Sequence, residues 1–143
     1  MKNIILDSGP LGRIAHPKAN LDIISWLKRQ LQSGALVILP EIADYEVRRS
    51  LLLHGLTRSV SRLNDLKRML HYAPITTQTM IRAAEFWAQA RQRGVPTADP
   101  KELDADVILA AQAELTDSIV ATENVGHLSL FVEARKWHDI SVD

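Results

Sequence analysis

Residues 3–10 read Asn3-Ile4-Ile5-Leu6-Asp7-Ser8-Gly9-Pro10, a short apolar run that stops at an acid and a Ser-Gly-Pro turn. A run of this length without alternation is the pattern of a strand covered on both faces, as in a parallel sheet. Leu36-Val37-Ile38-Leu39 and Ser118-Ile119-Val120-Ala121 repeat it, Ala73-Pro74-Ile75-Thr76 repeats it more weakly, and a last strand is placed near Trp137 to Ile140. Helical patterns fill the gaps. Asn20 is placed to cap a helix running to Gln32 and ending at Gly34, with Leu21, Ile24, Leu27 and Leu31 as its buried stripe. A second helix starts after Pro40. Gly55 and Thr57 divide it from a third, whose stripe is Val60, Leu63, Leu66 and Leu70. A fourth runs from about Thr77 to Arg93 and stops at Gly94, and a fifth from about Leu103 to Leu115. Strands alternating with helices predict an α/β fold around a central parallel sheet with right-handed crossovers.

The 143 residues suit one domain, 1–143, and 46% hydrophobic residues are enough for a sizeable core. The formal net charge is zero, but it is unevenly spread. Residues 28–93 carry eleven Lys or Arg against five Asp or Glu, a net of +6, and residues 94–143 carry three against ten, a net of −7. An acidic pocket beside a basic surface would give this pattern, and so would helices with solvated basic faces. The absence of cysteine removes disulfides, thiolate nucleophiles and Cys-type zinc sites, and fits a reducing compartment. The N-terminus runs into a strand without a signal-peptide pattern, and no apolar run approaches the about 20 residues of a membrane helix. A soluble cytoplasmic protein is expected.

Open α/β sheets bind ligands outside the carboxyl ends of their strands. Asp7-Ser8-Gly9-Pro10 follows the first strand and Thr122-Glu123-Asn124 follows the fourth, so both ends face one crevice if the strands are neighbours. Asp7 also suits a plain turn. Glu46 lies inside the second helix, partly on its inward face, where an edge residue paired with Arg49 or Ser50 is the plainer explanation. Asp104 and Asp106 stand near the start of the fifth helix. Residues two apart point about 200° away from each other, so only one of them faces the crevice. The other would serve the helix N-terminus, unless the helix begins at Asp99-Pro100-Lys101-Glu102, where Asp would cap and Pro would take the first position. Carboxylates gathered in one place repel unless a cation neutralises them. Mg²⁺ and Mn²⁺ prefer such oxygen donors, and beside a basic surface they point to phosphodiester chemistry on a nucleic acid.

At these positions the chain resembles the PIN-domain ribonucleases, in particular the VapC-like toxins of type II toxin–antitoxin modules. Asp7-Ser8-Gly9-Pro10-Leu11 resembles the strand-end Asp with small residues that opens such domains. Pro40 to Arg49 resembles their second-helix segment around a Glu. Asp106-Val107-Ile108-Leu109-Ala110-Ala111-Gln112-Ala113 resembles their Asp followed by apolar residues and an Ala pair. Ile119-Val120-Ala121-Thr122-Glu123-Asn124 resembles the final strand and its Thr-x-Asp or Thr-x-Asn ending. The resemblance spans nearly the whole chain. It implies a three-layer fold, a sheet of four to five strands between helices. It implies an Mg²⁺- or Mn²⁺-dependent endoribonuclease that cuts RNA, forms a homodimer and is silenced by an antitoxin protein. Asp7, Glu46 and Asp106 would be the metal-binding carboxylates, and Asn124 would take the fourth acidic position without its charge. Glu123 and Asp104 are possible substitutes, and Ser8 and Thr122 are hydroxyls that would orient the carboxylates.

Arg48 and Arg49, with Arg58, Arg62, Lys67 and Arg68, could line an RNA path, or form a solvated helical face. His127 reads as a loop-packing histidine before a ligand, and Trp26, Trp87 and Trp137 as core or dimer contacts before base-stacking platforms. The alternative from another class is a PIN-like domain with weak or no catalysis that binds RNA or a protein partner, which Asn124 keeps open. A phospho-accepting signalling domain would want a Lys after a late strand, and none follows the fourth strand before Lys136.

Overall fold

A computed structural model describes residues 2–16, 18, 20–94 and 100–142, the side chains of 100–102 excepted. Five strands, β1 (Asn3–Leu6), β2 (Leu36–Pro40), β3 (His71–Ala73), β4 (Ile119–Thr122) and β5 (Ala134–Lys136), form one sheet in the order β3-β2-β1-β4-β5. Every pairing is parallel, with Ile5 opposite Ile38 and Leu6 opposite Ala121. The helices are α1 (Ser8–Ala15), α2 (Leu21–Gln32), α3 (Glu41–Leu53), α4 (Thr57–Met69), α5 (Thr77–Gln92) and α6 (Pro100–Leu115). The predicted α/β class and parallel sheet are therefore present.

Alternation along the strands makes three layers. Ile4, Leu6, Val37 and Leu39 pack with Leu11, Trp26, Val47 and Leu63, on α1 to α4. Ile5, Ile38 and Val120 face the other way, against Leu109 and Ala113 of α6. Beyond them Ala83, Phe86 and Ala90 of α5 pack on Leu103 and Val107. After β1 the chain moves to one side of the sheet, through β2 and β3, and after α6 it moves to the other, through β4 and β5. The switch of direction lies between β1 and β4, where an open parallel sheet leaves a crevice at its carboxyl edge. Among the described residues no helix is long and apolar enough to cross a membrane.

Four expectations need correction. The Ser8-Gly9-Pro10 turn is the first turn of α1, with Asp7 as N-cap. Proline is tolerated there because first-turn N–H groups have no intrahelical acceptor. On α2 the buried side chains are Ile23, Trp26, Leu27 and Gln30, while Leu21 is 71% exposed and Asn20 makes no side-chain cap. Gln30 is accepted inside because its Nε2 donates to the Ile140 carbonyl at 3.0 Å, beside the Trp26 indole N–H at 3.1 Å. The third strand is His71–Ala73, because Thr76 is taken by a reciprocal cap with Thr79 at the start of α5. The last strand is Ala134–Lys136, and Trp137–Asp139 is a single 3₁₀ turn in which the Trp137 ring meets the Trp26 ring edge-on at 5.7 Å. Asp99, the alternative cap of α6, lies outside the described residues, but the helix does start at Pro100. Asp104 and Asp106 are therefore inside it, beyond the capping positions.

Candidate active site

Asp7 leaves β1 at the carboxyl edge of the sheet. Its amide donates to the Ala121 carbonyl at 2.9 Å, which extends the β1–β4 ladder by one bond. Its side chain is held from two sides: Oδ1 accepts the Ser8 amide at 2.7 Å, and Oδ2 accepts the Thr122 hydroxyl at 2.7 Å. Thr122 is 2% exposed, and its Oγ1 also accepts the Asn124 amide at 3.2 Å. One buried hydroxyl thus couples the acid after β1 to the turn after β4. Gly126, with φ +45°, lets that turn close beside the Asn124 side chain; a Cβ there would stand 3.6 Å from the Asn124 amide oxygen. The left-handed conformation suits glycine.

Glu46 comes from α3 and Asp106 from α6. Asp7, Ser8, Glu46, Asp106 and Asn124 line one cavity of about 230 Å³, closed by Val125, Gly126, His127 and Leu128 of the loop after β4. The carboxyl of Glu46 is held above the usual carboxylate range, by burial first and by the Asp7 charge next; Arg49 offsets this and Asp106 adds to it. Residues far apart in the chain are thus close enough to feel one another's charge.

The other singled-out acids stand elsewhere. Asp104 is exposed, on the α6 surface turned toward Met80 and Trp87 of α5. Glu123 is turned to the α1 side, where it pairs with Arg13 at 2.5 Å and accepts the Trp137 indole N–H at 3.2 Å. Glu123 also explains Gly9: a Cβ on Gly9 would meet its Cγ at 2.7 Å. Arg48 is engaged by Asp44 at 2.9 Å and by Asn64 at 2.8 Å, a tie between α3 and α4 and not a group held out for a ligand. Arg49 is exposed and lies 5.0 Å over the Tyr45 ring. His127, read from sequence as loop packing, lines the cavity. Its spacing from Asn124 was the only signal of this. Trp26 is core and Trp87 is partly exposed, with Arg91 over its ring.

Three carboxylates and an amide oxygen are hard donors suited to Mg²⁺ or Mn²⁺. Among the described residues, however, no three acidic, histidine or cysteine side chains stand close enough to enclose an ion. The carboxylates share the cavity at longer range, and the carboxyl of Glu46 is raised by its burial first and then by the charge of Asp7. Asp7, Glu46, Asp106 and Asn124 are the side chains of this cavity that would hold such a cation.

No protein-family model matches the sequence, and no curated protein matches it. Solved structures do. A chain of VapBC2 from Rickettsia felis, bound to a promoter DNA fragment, superposes with a TM-score of 0.78 at 12% identity, over 94% of this chain and 98% of that one. A chain of FitAcB from Neisseria gonorrhoeae gives 0.72 at 21%, over 96% and 99%. A chain of VapBC-1 from nontypeable Haemophilus influenzae gives 0.71 at 16%, over 96% and 99%. The molecule has a PIN-like α/β fold, and the resemblance read from its sequence is borne out at the level of that fold.

Proposed function

We propose that the chain is a metal-dependent endoribonuclease and the toxin of a toxin–antitoxin pair. The observation that carries the reading is the convergence of Asp7, Glu46, Asp106 and Asn124 on one cavity at the β1–β4 switch point. The likeness to VapBC and FitAB complexes supports the toxin role and a protein antitoxin as partner. In this reading Asp7, Glu46 and Asp106 hold Mg²⁺ or Mn²⁺, which supplies water activation and charge neutralisation at the scissile phosphate. Asp7 is pre-oriented by Ser8 and Thr122, so no rotamer search precedes binding. Asn124 offers an amide oxygen without charge, leaving three formal negatives, to which the phosphate adds its own, for the cation to offset. Exposed apolar side chains on α3 (Tyr45, Leu52) and α5 (Met80, Ile81, Trp87) give a second copy a surface to cover, in keeping with a homodimer.

Labelled single-stranded RNA incubated with Mg²⁺ or Mn²⁺, with and without chelator, tests the reading. Cleavage is expected only with the metal. Asp7→Asn and Asp106→Asn should each lower it by about two to three orders of magnitude, as loss of a group acting on the transition state does, with unchanged circular dichroism. Cleavage at the parental rate by either variant sinks the site. Absence of Mn²⁺ binding at millimolar concentration by calorimetry would favour the non-catalytic binding module.

A further inference from the structure

A second cavity, about 730 Å³ and wide open, lies along α1 toward the start of α2, lined by Gly12, Arg13, His16, Lys18 and Asp22 among others. Arg13 on its wall pairs with Glu123, the residue before Asn124 of the acidic cavity. Ser8 lines the acidic side and Gly9, the next residue, lines the other. We infer that this groove carries the phosphate backbone of the RNA strand on leaving the acidic cavity, an inference that rests on the nuclease reading above.

Its chemistry fits a polyanion. Lys18 stands on its wall beside Arg13, whose charge is shared with Glu123, and Arg62 of α4 reaches the same corner, where its guanidinium donates to the His16 carbonyl at 3.4 Å. The Lys18 amide donates to His16 Nδ1 at 3.1 Å. That bond makes Nδ1 the acceptor, so in the neutral ring Nε2 carries the proton and acts as a donor. Asp22 is the only acid among the described residues of the wall, and Glu123, beneath Arg13, has its charge answered by that arginine. The acidic cavity, about 230 Å³, holds room for little more than the scissile phosphate and its immediate surroundings. The flanking phosphates must lie on protein surface outside it, and cations there gain affinity by releasing the strand's counterions.

The test uses full-length chain carrying Asp7→Asn, so that binding is read without cleavage. Fluorescence anisotropy with a 5′-labelled 12-nucleotide RNA and with a trinucleotide is followed across a salt series. Lys18→Glu with Arg62→Glu should weaken the 12-mer at least tenfold. It should flatten the slope of log affinity on log salt by about 1.4, at about 0.7 for each phosphate no longer neutralised. The trinucleotide should bind as before, and Lys18→Arg should behave as the parent. Arg13 is left intact because it also ties down the turn after β4. A 12-mer affinity and salt slope equal to the parent's, in a variant with unchanged circular dichroism, overturns the inference, whatever the variant does to a protein partner. Failure of the nuclease reading would show separately, as parental chain that binds RNA and does not cut it.

Discussion

Replacing Thr122 by Val removes one hydroxyl and keeps the shape. The side chain is 2% exposed, so no water takes the place of the lost group. Its proton has two acceptors within reach, Asp7 Oδ2 at 2.7 Å and the Asn124 carbonyl at 3.1 Å. The shorter bond to the charged acceptor wins. Its loss costs about 1.5–3 kcal/mol, and the Asn124 amide loses its acceptor as well. Part of that cost falls on the fold. A net loss of about 2 kcal/mol lowers the melting temperature by roughly 6–10 °C in a chain of this size. The rest falls on the site: Asp7 loses one of two fixed partners, and removing such a supporting bond from a metal-binding carboxylate costs about 10- to 100-fold in activity or metal affinity. Thr122→Ser restores the hydroxyl without the methyl and should recover the metal affinity. Mn²⁺ titration and RNA cleavage, each beside a urea melt, read the two effects apart. If Thr122→Val binds Mn²⁺ and cuts RNA within twofold of the parent, Asp7 does not depend on this bond and the coupling of β1 to β4 through it is wrong.

Arg48→Ala should destabilise the fold by about 2–3 kcal/mol in urea melts, since it strands the buried Asp44 carboxylate and unties Asn64 on α4, yet leave the salt slope of RNA binding unchanged; a flattened slope would return Arg48 to the RNA path. Glu46→Gln should abolish cleavage and stabilise the metal-free fold at pH 7.5. Because the carboxyl is raised in the folded state, its ionisation costs stability above that raised pKa. The cost is relieved as pH falls through it, so the advantage of Gln should vanish near pH 4. A gain under about 1 kcal/mol is expected for a half-exposed, solvent-screened group, and a destabilised variant at pH 7.5 would contradict the penalty that burial and the Asp7 charge place on its ionised form.

The parts legible in sequence are those set by local pattern. Ile4 to Leu6, Val37 to Leu39 and Val120 to Ala121 read as covered strands because a strand covered on both faces cannot carry polar side chains. Glu46 and Asp106 stand out in the sequence, and the structure brings them to Asp7, but neither follows from spacing within its own helix. The features that the sequence pattern misplaces depend on partners distant in the chain. The buried face of α2 is set by a carbonyl at Ile140 that accepts from Trp26 and Gln30, bonds spanning 114 and 110 residues. In sequence, Glu123 looks as available to the crevice as Asn124. The close approach of Gly9 and the reach of Arg13 decide the side to which it turns. His127 is marked in sequence only by its spacing from Asn124, and the folded loop after β4 is what puts it on the cavity wall.

The uneven charge of the sequence also has a different origin from the one it suggests. The acidic C-terminal third does not make the acidic cavity. Glu114 is held by Arg82, Glu133 by Arg135 and Glu123 by Arg13, so three of that stretch's ten acids are paired with arginines away from the cavity. Of its described residues only Asp106 delivers a carboxylate to the cavity, and the other two acids come from the first strand end and from a helix in the basic stretch. In that stretch too, Arg48, Arg68 and Arg82 are each paired with an acid. The negative site is thus a product of topology: the reversal of strand order between β1 and β4 opens a crevice, and α3 and α6 each lower one carboxylate into it. Backbone geometry places the three carboxylates along one cavity, where Glu46 feels the charges of the other two. A divalent cation held as proposed would relieve that repulsion, while reversal of any distant surface charge would be screened within about 10 Å.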